Sequence, residues 1–368
     1  MNLVRLKRFR TITMNKSHHS LKLIYTILIA LIASGSLAQE PTRPGTTTMN
    51  FLEIGYGAAG GSMGDAYVSM ANDLSSIYWN PAGLAYLKKQ QALFVHQPWF
   101  VDSHSMLLSV GFNVPSLGSF ALSMISLDFG SMDVTTLAEQ EGTGETFTAV
   151  DQSISLSYGR KLATWFATGA SLKYINSRVW HMRASAFAFD LGVLIQTPFL
   201  SYTGNPSEGL TIGMSLSNYG TKMSYDGMDL LFPIDILEEE NGNYAFAEGK
   251  YAMQEWELPL IFRLGVSVNL LYTDYHQLTV AVDALHPNNN SESINIGSQY
   301  LIKLPAFGKL YFRGGYKALF MENSEYGPTY GFGLQLDKLY NAGINVGYAY
   351  RSIGILGDTK SFSVGINF

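Results

Sequence analysis

The last eight residues, SFSVGINF, alternate strictly. Phe362, Val364, Ile366 and Phe368 fall on one side, and Ser361, Ser363, Gly365 and Asn367 on the other. A period of two marks a strand with one apolar and one small or polar face. The same rhythm recurs upstream. Phe262, Leu264, Val266 and Val268 alternate with Arg263, Gly265 and Ser267; Phe187, Phe189, Leu191, Val193 and Ile195 alternate with small residues and Asp190; Leu310, Phe312 and Tyr316 alternate with Tyr311, Arg313 and Lys317. The pattern predicts strands at 91–100, 104–114, 118–127, 147–160, 166–178, 182–196, 210–218, 255–270, 277–285, 292–301, 309–318, 328–337, 341–350 and 360–368.

Fourteen segments of about ten residues, an even number, with shorter and longer connections, fit a transmembrane antiparallel β-barrel. The expected fold class is therefore all-β, with residues 91–368 forming an outer-membrane barrel. Lipid offers no partners to unpaired backbone groups, so such a sheet must close on itself. A soluble sandwich would need neither so many strands of similar length nor a terminal aromatic. A closing strand that ends on Phe368 resembles the assembly signal read by the barrel assembly machinery. Arg263, Asp283, Arg313 and Lys317 lie on the polar faces of apolar strands, and a cation facing lipid at mid-depth costs about 2–4 kcal/mol. They are expected in the lumen. Arg263 and Asp283 flank a turn near Thr273 symmetrically and are expected to form an ion pair across a hairpin.

Residues 51–90 break the rhythm. The stretch GYGAAGGSMG contains a literal G-x-G-x-x-G at Gly55, Gly57 and Gly60. A dinucleotide loop needs a strand before it, a helix after it, and an acidic residue about 20 positions on. None of that context is present. AYVSMANDLSSIYW reads as short helical pieces, and Asn80-Pro81 as a cap followed by Pro in the first turn. Glycines in such a segment fit close backbone packing in a confined space. The lumen of a fourteen-strand barrel has room for a plug of this kind. Residues 51–90 are thus expected to be a partly helical hatch, joined to the export signal by a linker, 39–50.

Composition supports export to an envelope. The 368-residue chain has 36 glycines, 22 tyrosines, 21 phenylalanines and only 14% charged residues. Arg5, Lys7, Arg8, Arg10, Lys16 and Lys22 precede the apolar run LIYTILIALIA, and Ser36-Leu37-Ala38 supplies small residues for cleavage after Ala38. Met14 is an alternative start. Residues 1–38 therefore read as a secretory signal; the apolar run is short for an anchor. Removing six of 24 basic residues leaves 18 against 29 acidic ones, a formal −11. That balance argues against nucleic acid. With no cysteine, thiolate catalysis and Cys-ligated metals are excluded. The five remaining histidines form no H-E-x-x-H motif and no tight ligand cluster, and there is no G-x-S-x-G, so neither a metal site, a cofactor nor an enzyme is expected.

Two inserts are acidic: 128–145, with Asp128, Asp133, Glu139, Glu141 and Glu145, and 226–248, with Asp226, Asp229, Asp235, Glu238, Glu239, Glu240 and Glu248. Long loops of such barrels lie on the outer side. MDLLFPIDIL in the second insert is apolar for a loop. Leu230, Leu231, Phe232, Ile234 and Ile236 are candidates for a lid or a partner-facing patch.

GGSMGDAYVSMANDLSSIYWNPAGLA resembles the N-terminal signature of the PorV/PorQ family, within the wider group of FadL-like barrels. FRLGVSV, AVDALHPNNN, FRGGYK, YGFGLQL and the stretch from Val346 to Phe368 stand where that family has corresponding strands. Asp358-Thr359-Lys360 stands where the family often has a His-Arg pair. The resemblance implies that Gly60, Gly61, Gly64, Asp65, Asn80, Pro81 and Ala82 form the hatch motif. It also implies two alternative functions. One is type IX protein secretion: binding exported cargo through a C-terminal β-domain and passing it, with other secretion components, to surface attachment. The other is FadL-like transport of long-chain fatty acids or other hydrophobic small molecules. The lipid of the outer membrane is the expected surrounding in either case.

Overall fold

A computed structural model describes residues 43–236, 239, 247–305, 307–321, 323–339 and 342–368. The expected signal peptide, its cleavage site, the start of the linker and part of the second acidic insert lie outside the described residues. The described chain is a closed fourteen-strand antiparallel β-barrel. Its strands are β1 Gln91–Pro98, β2 His104–Val114, β3 Gly118–Asp133, β4 Thr146–Ala163, β5 Phe166–Val179, β6 Met182–Gln196 and β7 Thr211–Gly220. They continue with β8 Ile261–Tyr272, β9 His276–Pro287, β10 Ser293–Leu304, β11 Gly308–Leu319, β12 Pro328–Leu339, β13 Ala342–Ser352 and β14 Asp358–Asn367. Each strand pairs with the next, and β14 pairs with β1 to close the ring.

Closure removes the sheet edges that lipid could not satisfy. The side-chain alternation follows from it. In β14, Phe362, Val364 and Ile366 point outward at 44–45% exposure while Ser361 is 2% exposed. Phe187, Phe189 and Leu191 of β6 face out, with Ala186, Ala188 and Asp190 buried between them. The inner wall is lined by serines on neighbouring strands, and two pairs bond directly: Ser123 to Ser155 at 2.6 Å and Ser157 to Ser171 at 2.7 Å.

Strand ends depart furthest from the sequence pattern in two places. The segment expected to begin at 255 becomes a strand only at Ile261, because Pro259 has no N–H to give a ladder. The first acidic insert is shorter than expected: β3 continues to Asp133 and β4 begins at Thr146, with a bulge between Asp128 and Ser131. In the second insert, residues 231–234 pair with 247–250 in a small separate hairpin.

Inside the ring lies the segment before β1. It contains 3-10 turns at Asn50–Glu53 and Pro81–Tyr86 and two short helices, α1 (Ala58–Ser62) and α2 (Ser76–Trp79). Its start is tied to the long-connection rim. Thr48 N donates to Glu257 O at 3.0 Å, and Asn289 Nδ2 donates to Thr47 Oγ1 at 2.8 Å. Thr47 and Thr48 are therefore bonded to the barrel rim. From there the chain descends through the lumen and leaves at the short-turn rim, where Phe368 N donates to Gln90 O at 3.0 Å. The main apolar cluster of the molecule sits here, within the barrel, built from Phe51, Leu52, Tyr56, Met63, Leu74, Tyr78, Trp79 and Leu84.

Candidate functional site

The luminal segment, or hatch, is held from top to bottom by polar contacts to the wall. Nearest the long-connection rim, Arg351 of β13 donates to Gly55 O and reaches Gln97 Oε1 at 3.3 Å. Tyr56 O–H lies 2.8 Å from Ser105 Oγ. At the same level Thr329 Oγ1, opposite Arg351 in the register, donates to Ser62 O at 3.0 Å, and lower down Ala58 N donates to Ser363 Oγ at 2.8 Å. Near the short-turn end, Asn80 Nδ2 donates to Val68 O and to Val193 O of β6, both at 3.0 Å, while its Oδ1 caps Ala82 N at 3.1 Å. Asn80 thus caps the Pro81–Tyr86 turn and also fastens it to the wall.

At the upper level, beside Gly55, lies a buried ion pair: Lys317 Nζ, near the long-connection end of β11, to Asp65 Oδ2 at 2.7 Å. Asp65 occupies the left-handed region at φ 64°, which an Asp tolerates better than most residues. Burial alone would push its carboxyl up, but Lys317, Arg351 and Arg263 together outweigh that and hold its pKa below the usual aspartate range. Burial pushes the nearby Glu53 carboxyl up.

Glycines decide how close the hatch can come. Gly159, Gly169 and Gly192 stand opposite one another on β4, β5 and β6 and form a continuous row. A Cβ on Gly169 would overlap the Pro81 carbonyl, and one on Gly192 the Asn80 amide. The Asn80-Pro81-Ala82 turn lies in this trough, with Ala82 packed on Ala167 and Leu194. Across the lumen, Gly297 and Gly315 face each other on β10 and β11, and a Cβ on either would overlap Met63. Gly64, at φ 65°, lies against the Tyr316 backbone. Within the hatch, Gly60 makes room for the Trp79 ring and Gly61 for the Arg351 guanidinium. The G-x-G-x-x-G spacing therefore serves packing: Gly57 precedes a buried five-residue helix, and the glycines meet Trp79, Asp65 and Ser75.

The luminal charges are placed as follows. Arg263 and Asp283 are both buried, but the expected pair between them does not form. The register sets Arg263 opposite Leu285 and Asp283 opposite Gly265, two residues apart along the wall. Arg263 Nη1 donates to Ser217 Oγ at 2.9 Å and its guanidinium lies over the Tyr78 ring; Asp283 Oδ2 accepts from Val68 N of the hatch at 2.9 Å. The hatch backbone takes the acceptor that the hairpin argument assigned to arginine. Arg313 Nε donates to Gln299 Oε1 at 2.7 Å. A luminal pair that the sequence reading missed joins Lys173 to Asp190 at 2.6 Å, across β5 and β6. Both are inward positions of apolar strands, so the alternation could have found them.

The apolar loop candidates divide. Leu230 is buried and Phe232 stacks on Tyr251 with centroids 4.4 Å apart, whereas Leu231, Ile234 and Ile236 are exposed. The C-terminal Phe368 side chain is exposed beside the β1–β14 seam.

Beneath the hatch, a cavity of about 1240 Å³ opens toward the short-turn rim. Tyr67, Met70, Leu74 and Leu87 of the hatch form its roof, and strand ends such as Gln91, Lys309 and Asn367 its lower wall.

No family model matches the chain, and no curated protein matches it. Solved structures do. A Pseudomonas aeruginosa FadL homologue aligns at 12% identity over 89% of this chain and 98% of its own, with a TM-score of 0.51. The fold is that of the FadL-like barrels. The Pseudomonas putida toluene transporter TodX is 11% identical, and the Ralstonia pickettii toluene transporter TbuX 10%; each alignment covers 85% of this chain and 97% of the other, at a TM-score of 0.51. At these identities the likeness to FadL-like barrels is one of fold.

Proposed function

We propose that this chain is an outer-membrane transport protein that admits hydrophobic small molecules past a displaceable hatch. The observation that carries the reading is a FadL-like barrel whose lumen is crossed by one N-terminal segment, fastened to the wall, among the described residues, by hydrogen bonds and one buried ion pair. Such contacts can be exchanged for others as the segment shifts. The toluene transporters of the same fold lend support. So do exposed Leu231, Ile234, Ile236 and Met228 on the long 221–260 connection, which present apolar surface where an outside solute would arrive.

The chain has no native cysteine, so a hatch lock can be introduced cleanly. Ala58→Cys with Ser363→Cys joins α1 to β14 at a site where Ala58 N and Ser363 Oγ are 2.8 Å apart. Uptake of toluene and of oleate by cells carrying the oxidised variant should fall to the level of cells without the protein, and reductant should restore it. Uptake that is equal in oxidised and reduced cells refutes the gate. Wild-type uptake no greater than that of cells without the protein refutes the transport reading.

The same exposed hairpin also favours a second reading, the type IX secretion role of PorV/PorQ-like barrels. The exposed apolar residues Leu231, Ile234 and Ile236, on a connection that also carries Asp226, Asp229 and Glu248, would offer a docking surface to an exported protein. Gentle purification from native membrane should then recover exported proteins that share one C-terminal domain, and removal of 226–248 should lose them. Unchanged recovery after that deletion sinks the loop model.

A further inference from the structure

The cavity under the hatch carries a charge pattern that transport of a greasy solute does not call for. Six cationic side chains line it: Lys88, Lys89, Lys161, Lys303, Lys309 and Arg313. Asp73 is the one carboxylate in the lining, and it is occupied by Ser75, whose N–H and O–H donate to Oδ1 at 3.0 and 2.5 Å. Among the described residues, none of the six cations forms a salt bridge, although seven such bridges exist elsewhere in the barrel and its loops.

Three of the cations are held against aromatic faces: Lys161 over Tyr86 at 3.9 Å, Arg313 over Tyr311 at 4.5 Å and Lys303 over Tyr272 at 4.9 Å. A ring face steadies a cation without cancelling its charge. Amide side chains of Gln196, Asn269, Gln277, Gln299 and Asn345 fill the spaces between. Among the described residues, the Tyr86 hydroxyl in the lining, which can donate, has no hydrogen-bond partner.

The cations stand on two walls. Lys161 is on β4, beside the hatch exit that bears Lys88 and Lys89. Lys303 is on β10, and Lys309 and Arg313 are on β11. In a ring of fourteen strands, β4 and β11 are seven places apart, which is diametrically opposite. A recess lined by one sign of charge with low-dielectric walls concentrates counter-ions. Its volume also lies near the range of small-molecule sites, roughly 300–1,000 Å³.

We propose that this vestibule is a binding site for a hydrophilic polyvalent anion, a solute bearing several phosphate or carboxylate groups, drawn from the side that the short turns face. By the orientation usual for such barrels, that side is the periplasm. Two walls of cations select a ligand whose negative charges are spread along it. The vestibule lies on the lumen side that a solute passing the hatch would enter, but the binding test does not depend on transport.

The test uses the complete mature barrel in lipid nanodiscs, with inorganic tripolyphosphate and citrate as probes and calorimetry as the readout. Saturable one-to-one binding is expected, tightest for tripolyphosphate and weakening steeply between 50 and about 300 mM salt. Lys303→Gln with Lys309→Gln should weaken binding at least about tenfold, as should Lys161→Gln with Lys88→Gln. Lys222→Gln, at the opposite rim, should leave it unchanged. Heat-modifiable migration of each variant checks that the barrel has assembled. Absence of saturable binding for both probes overturns the proposal, as does equal weakening by Lys222→Gln. Loss confined to one wall's variants overturns the two-walled ligand.

Discussion

Replacing Asp65 by Asn tests whether the hatch is pinned electrostatically. Asn keeps the size of the side chain and tolerates the left-handed backbone at this position, so the change removes charge and little else. Lys317 then faces the lumen without its partner, and Arg351 and Arg263 add to the local positive charge. At 2.7 Å and an effective dielectric constant of about 20, the lost attraction is about 6 kcal/mol. Desolvation of two buried ions already offsets part of it in the intact protein. Removing one member of a buried pair typically costs about 3–5 kcal/mol, because the other is left uncompensated. Hydrogen exchange of hatch amides around 60–68 reads this directly. A loss of that size raises exchange by roughly two to nearly four powers of ten, while the barrel strands stay protected. Lys317→Met should do much the same. The double variant should recover part of the loss, since neither partner is then stranded, giving a coupling of about 2–3 kcal/mol. If the two single changes simply add, or if each raises hatch exchange less than about tenfold, Lys317 and Asp65 are not what holds this level of the hatch.

Two other outcomes follow from the same contacts. Gly169→Val fills the trough that seats the Pro81 carbonyl. Overpacking of this kind costs about 1–3 kcal/mol, and it should expose 80–87 to a protease added from the short-turn side while leaving barrel assembly intact; unchanged protection refutes the trough. The Asp65 pKa is held below the ordinary aspartate value, so its contribution is complete above about pH 4 and is lost as pH falls through the lower, folded-state value. The amides beside Asp65 should therefore lose no protection through its titration between neutrality and about pH 4, and lose it only below that. A loss of protection beginning near pH 6 contradicts this assignment.

Much of the architecture was legible in the pattern of residues. Each of the fourteen alternating segments overlaps one barrel strand, because lipid on one side and a lumen occupied by protein on the other impose opposite demands on successive side chains. Arg263, Asp283, Arg313 and Lys317 could be assigned to the inner face for the same reason. Their partners could not. An alternating pattern fixes which face a side chain occupies, but a pairing also depends on register and on what else enters the lumen. Asp283 went to the Val68 amide because the hatch reached it, and Asp65, far from Lys317 in sequence, became that lysine's partner.

The strand glycines show the same division. Gly159, Gly169 and Gly192 read locally as small residues on polar faces. Only the register of β4, β5 and β6 lines them up, and only the descending hatch gives the row a use. Likewise, Lys88, Lys161, Lys303 and Lys309 are scattered over more than 200 positions of the sequence, and closure of the sheet brings them around one cavity. The sequence alone determined the period of the strands, the face each charge occupies and the break in pattern at the hatch, since these follow from local chemistry and its solvent. The tertiary structure decided which charges meet, how closely the hatch may pack and where the lysines of the vestibule collect. Those depend on contacts between residues far apart in the chain, and no local pattern encodes them.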